Sequence, residues 1–140
     1  MTITEKKEQL LAELAAIQDA QERFAFVVAR GRRHPGLGAP FKTDEFRVEG
    51  CLAQLWLVPD FRDGRCHFTA DSDSAIMKGV AALLCDFYSG QTPEEIAGTD
   101  PAFLGRAGIT QHLSPNRRNG LRRIWEQMTA FAASHARGRE

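Results

Sequence analysis

Apolar positions follow a helical period at both ends of the chain and a strand period in the middle. Leu10, Leu11, Leu14 and Ile17 recur at helical intervals behind Thr2 and Glu5, which have capping-box spacing, so an amphipathic helix is expected first. It should break near Asp19, where Asp19 and Glu22 can open a second helix with Phe24, Val27 and Val28 on its buried face and Gly31 as its stop. His34 to Lys42 holds two prolines and two glycines and reads as a connecting loop.

Beyond the loop the period shortens. Phe46 to Val48, Leu52 to Val58 and Arg65 to Thr69 are expected as three short strands, with turns at Glu49-Gly50-Cys51 and at Pro59 to Gly64. The helical period then returns with Ala75, Ile76, Val80, Leu83, Leu84 and Phe87, capped by Ser72 or Asp73 and stopped at Gly90. Thr92-Pro93-Glu94-Glu95 combines an N-cap, a proline at the first helical position and a reciprocal glutamate, and Asp100-Pro101 repeats the device more weakly. Ser114-Pro115 opens a last helix striped by Leu121, Ile124, Trp125, Met128 and Phe131, with fraying expected from Ser134. Helices bracketing a small antiparallel three-stranded sheet make the class α+β, in one domain over residues 1–140.

Eighteen basic and eighteen acidic residues cancel, and no basic block or acidic tail stands out, so neither nucleic acid nor a membrane is an expected partner. The N-terminal run has no apolar core of the kind a secretory signal needs, which points to the cytoplasm. Three cysteines, at 51, 66 and 85, lack Cys-x-x-Cys spacing, and His34, His67 and His135 show no ligand spacing with them or with each other. Neither a disulfide framework nor a metal site is expected.

Cys51 follows Gly50, a residue free to adopt positive φ, at the tip of a turn between two apolar segments. A thiol there can reach another protein, whereas Cys66 on a strand and Cys85 on an apolar helix face read as small buried hydrophobes. Position alone favours an unreactive turn cysteine.

The surrounding motifs carry more. Val48-Glu49-Gly50-Cys51-Leu52-Ala53-Gln54-Leu55-Trp56 resembles the sulfur-acceptor loop of the SufE family, a glycine-cysteine pair with a glutamine three residues on and a tryptophan two further. Asp71 to Gly79 and Thr110 to Leu121 match in the same order, with Asn116 where a small hydroxylated residue is more usual before the arginine. The resemblance implies a SufE/IscU-like fold. It further implies that Cys51 accepts persulfide sulfur from a pyridoxal-phosphate cysteine desulfurase, SufS-like or CsdA-like, stimulates it, and passes the sulfur to an Fe–S assembly scaffold. The chain would bind no cofactor itself, would act as an accessory protein rather than an enzyme, and leaves a homodimer open.

Thiol chemistry suggests what the helpers should do. An unperturbed thiol with pKa about 8.5 is mostly protonated at neutral pH, so a nearby cation would help, and Arg117 is the one expected closest to Cys51. Glu49 pushes the other way. The apolar flanks suggest a thiol partly shielded until a partner docks. Asp73 is expected mainly to end a strand or cap a helix, Lys78 to pair with a carboxylate, touch the partner or simply lie on a solvated face, and Trp56 to pack beneath the cysteine loop. His112 is a candidate proton shuttle whose ordinary alternative is a surface hydrogen bond. Three rival readings remain: an Fe–S scaffold using all three cysteines, a stand-alone thiol enzyme with His67 or His112 as base, and a structural protein with no chemistry.

Overall fold

The structure is a computed structural model that describes residues 2–50, 53–106, 108–110 and 113–137. Helices α1 (Ile3–Ala15) and α2 (Ala20–Arg33) precede strands β1 (Leu55–Arg62) and β2 (Arg65–Ser72). Helices α3 (Ala75–Tyr88), α4 (Pro93–Ala97), α5 (Phe103–Arg106) and α6 (Pro115–Arg137) complete the chain. None of the described helices is long and apolar enough to cross a membrane.

Most helix starts follow local capping chemistry. Thr2 and Thr92 each exchange hydrogen bonds with the glutamate three residues on, and Asp19 accepts from the Gln21 N–H at 2.9 Å. The α3 cap is Ser74, which accepts from the Met77 N–H, rather than Ser72 or Asp73. Those two are occupied elsewhere, since the Ser72 hydroxyl donates to Gln54 O at 2.7 Å and the Asp73 carboxylate accepts from Gln54 N–H at 3.0 Å. At its far end α6 stays helical through Arg137 instead of fraying from Ser134.

Gly31 does not stop α2, which continues for two residues beyond it. A Cβ there would stand 2.8 Å from the Gly79 N, and one at Gly79 would collide with the Val27 carbonyl oxygen. The pair therefore lets α2 and α3 touch backbone to backbone. α3 is buried nearly all round, with Val80, Leu83 and Leu84 in one hydrophobic cluster with Leu14, Val27, Leu55, Leu57, Phe68, Ile124 and Met128. Lys6 ties α1 to this helix by donating to the carbonyls of Asp86, Phe87 and Ser89 at its C-terminal end, where the helix dipole favours a cation.

Among the described residues the sheet has two strands rather than the three expected. Phe46 to Val48 contributes an isolated bridge, Arg47 to Trp56, with Val48 N–H donating to Leu55 O and Leu57 N–H to Phe46 O. β1 begins at Leu55 rather than Leu52 and runs on through Pro59 to Arg62, while β2 extends to Ser72. The hairpin turn is only Asp63-Gly64, at φ 54° and 76°, the two positive values of a type I′ turn whose twist matches the strands. Pro59 is accommodated because its nitrogen faces away from β2: the outward N–H before it, at Leu57, is the one bonded to Phe46.

On the other edge, β2 finds substitutes for a third strand. Cys66, Phe68 and Ala70 donate their N–H groups to Gln91 O, Ser89 Oγ and His34 Nε2 at 2.9, 2.9 and 3.2 Å. Burial holds the His34 pKa below its usual value despite the pull of Asp86, which keeps the imidazole neutral and able to accept.

Candidate functional site

Val48 N–H donates to Leu55 O at 2.8 Å and so closes the base of the connection, here called the loop, between them. Cys51 lies outside the described residues, as does His112, but both ends of the loop are defined. Gly50 has φ 83°, a left-handed conformation that its lack of a Cβ makes inexpensive. Its carbonyl accepts from the Asn119 side-chain amide of α6. The Arg123 guanidinium lies against the same glycine, with Nε 2.8 Å from where a Cβ would be.

The opposite end is held by backbone. Gln54 donates its N–H to Asp73 Oδ1 at 3.0 Å and accepts from Asp73 N–H at 3.2 Å and from Ser72 Oγ at 2.7 Å. Its side chain is exposed. Gln54 and Asp73 are thus brought together, and Asp73 fastens the loop to the approach to α3 rather than capping that helix.

Next to this fastening sits Asp71, a buried acid. It accepts from the N–H groups of Leu37 and Ser72 at 3.0 and 2.9 Å and pairs with Lys42 at 3.3 Å and Lys78 at 3.5 Å. Burial alone would raise its pKa, yet these donors and cations hold it below the usual carboxylate value. Lys78 is therefore an internal partner. Trp56 is half-buried on the strand face opposite Leu55 and Leu57, with the Lys42 ammonium 5.5 Å over its ring, so it does not anchor the main core.

Arg117 lies in the first turn of α6, its N–H donating to Ser114 Oγ at 3.3 Å, in line with the buried stripe of Leu121, Ile124 and Met128. The guanidinium that meets Gly50 is that of Arg123. Asn119 and Arg123 were not singled out from sequence, although their spacing of four puts them on one flank of the last helix. The remaining cysteines are both buried: desolvation pushes Cys66 on β2 up to about 11, and raises Cys85 on α3 further. At neutral pH both are protonated and poor nucleophiles.

Residues 8–132 match the SufE family, described as an Fe–S metabolism associated domain. An uncharacterized SufE-like protein of Rhizobium meliloti (strain 1021) is 31% identical over 130 residues, covering 89% of this chain and 93% of that protein. The SufE-like protein 1 of Arabidopsis thaliana, chloroplastic/mitochondrial, is 36% identical over 117 residues, covering 83% of this chain but only 32% of the plant protein. The solution structure of a hypothetical protein from Thermus thermophilus superposes with a TM-score of 0.77 at 19% identity, over 92% of this chain and 94% of that one, and so shares the fold. With a family match over most of its length and a relative of nearly equal extent, the chain belongs to the SufE family of Fe–S metabolism associated domains.

Proposed function

We propose that the protein accepts persulfide sulfur on Cys51 from a cysteine desulfurase, stimulates that enzyme, and delivers the sulfur to an Fe–S cluster assembly scaffold. The observation that carries this reading is the loop itself, which is fastened at Gly50 and at Gln54 while the chain's other two thiols are buried. Such a loop presents one cysteine to a partner and withholds the rest.

The reaction is thiol–disulfide exchange. The Cys51 thiolate attacks the terminal sulfur of the desulfurase persulfide, a new S–S bond forms at Cys51 as the old one breaks, and the partner's cysteine leaves as a thiolate. The proton on the transferred sulfur travels with it, and no external oxidant or reductant is consumed. Pyridoxal phosphate belongs to the desulfurase, SufS-like or CsdA-like, and the site of action is the cytoplasm. The fastened ends favour a thiol that is partly shielded until docking.

A scaffold role is disfavoured by the burial of Cys66 and Cys85, since cluster ligands must converge on one accessible site. Alanine release from cysteine by a desulfurase of this class, with wild-type protein or with Cys51→Ala, tests the carrier reading. Wild type should stimulate release and the variant should not; equal stimulation by both overturns it.

A further inference from the structure

We propose that the cavity between the last turn of α2 and Asp86 of α3 binds a singly charged phosphate group, free or as a monoester. Arg30, Arg33 and the His34 Nδ1–H would hold its oxygens, and Asp86 would accept the proton that the phosphate keeps. The site involves neither Cys51 nor the sulfur-carrier function. The cavity has a volume of about 240 Å³, room enough for a tetrahedral oxyanion, and is lined by these four residues and Pro35.

His34 carries the observation that asks for a ligand. Its side chain is only 6% exposed, and its two ring nitrogens are in different situations. Nε2 accepts from Ala70 N–H at 3.2 Å, so the proton of the neutral ring is on Nδ1. Burial lowers the ring's pKa against the opposite pull of Asp86 and Asp71, with Lys78 adding to the lowering, and the ring is neutral at pH 7. The Nδ1–H makes no hydrogen bond among the described residues. Asp86 Oδ1, on the wall of the same cavity, stands 4.0 Å from it, too far for one. A donor on so deeply buried a side chain, left without an acceptor, calls for an explanation.

The cations beside it are only partly spent. Arg30 lies over the Phe26 ring and commits Nε to Asp86 Oδ2 at 3.4 Å, while its Nη groups and the Arg33 guanidinium make no hydrogen bond among the described residues. The helix dipole accounts for basic residues in the last turn of α2, but not for an unspent imidazole donor among them. The His34 N–H caps the carbonyls of Arg30 and Gly31 at 3.1 and 3.2 Å, so these oxygens are not left bare toward an anion. Lys6 is spent on the carbonyls of Asp86, Phe87 and Ser89. Asp86 selects the anion: a carboxylate repels an oxyanion without a proton but accepts a hydrogen bond from one that keeps a proton. Phosphate keeps one in part at neutral pH, and sulfate has none.

The test is a titration of the full chain with sodium phosphate at neutral pH and constant ionic strength, followed by the NMR shifts of the His34 imidazole nitrogens and the Ala70 amide. Phosphate should move these signals saturably and sulfate should not. Arg33→Gln should weaken phosphate binding about threefold to tenfold, whereas Arg32→Gln, which removes a charge from the same turn but not from the cavity wall, should leave it in place. Asp86→Asn should admit sulfate. Tighter binding of glycerol phosphate than of inorganic phosphate would assign the site to an ester, and the reverse order to the free anion. The proposal is overturned by the absence of a saturable shift with phosphate, by equal binding of phosphate and sulfate, or by unchanged affinity in Arg33→Gln. If Asp86→Asn does not fold, the contrast between phosphate and sulfate in the wild-type chain decides.

Discussion

Gly79 and Gly50 each meet a helix, and the two contacts are made of different material. At Gly79 the neighbour is backbone: a Cβ would run into the Val27 carbonyl of α2, and Gly31 faces Gly79 with the same lack of room. At Gly50 the neighbours are the ends of two side chains, the Asn119 amide and the Arg123 guanidinium. Two helix backbones in contact can separate only if the helices move, whereas an amide and a guanidinium can change rotamer. The α2–α3 seam is therefore built as a fixed frame, and the Gly50 end of the loop as a contact that can be released without disturbing that frame.

The largest effect should come from spoiling the frame. Gly79→Ala should cost about 3 kcal/mol, because neither backbone can yield the missing space. Urea unfolding measures it, and a loss below about 1 kcal/mol would mean that the seam is as adaptable as the loop contact.

A smaller effect is expected beside the Gln54 end. Asp71→Asn should cost about 2 kcal/mol at pH 7, since Lys42 and Lys78 lose their shared carboxylate but retain some solvent. The folded-state pKa of Asp71 lies below its unfolded value, so its contribution is fully present above about pH 4 and fades as pH falls through the folded pKa. The stability gap between wild type and variant should accordingly narrow below about pH 4. A gap that stays constant down to acid pH would remove the carboxylate's charge from the account.

The smallest change in stability should come from Asn119→Ala, under about 1 kcal/mol, because the lost hydrogen bond is exposed. Its informative effect is kinetic. Cys51 should be alkylated faster above its midpoint, where the thiol is already ionised and only access limits the rate. An unchanged limiting rate would show that the amide does not restrain the loop.

The helix ends were legible because they are local: Thr2 with Glu5, Thr92 with Glu95, and Asp19 each declare a start within four residues. Gly31 misled because the same residue serves as a stop or as a point of close approach, and only α3 on the other side decides which. Phe46 to Val48 has strand composition but forms just a bridge, while Pro59 reads as a turn and sits in a strand whose outward donor is dispensable. At the site, Gln54 and Asp73 were each visible, but their reciprocal bonding depends on how the hairpin returns beside the loop. Arg123 carried no motif. Its contact with Gly50 comes from the rotation of α6, which does not exist before the chain is folded.

The two-stranded hairpin also bears on behaviour in crowded solution. Exposed strand edges recruit other chains, and a lone hairpin would ordinarily be the weak point of a small protein. Here β2 has its outward donors at Cys66, Phe68 and Ala70 occupied by Gln91, Ser89 and His34, so little is left for an intruding strand to read. β1 is sealed at Leu57 by Phe46 and then presents Pro59, which has no N–H to offer, followed by the charged Asp60 and Arg62. Both outer edges of the hairpin are thus largely closed to aggregation.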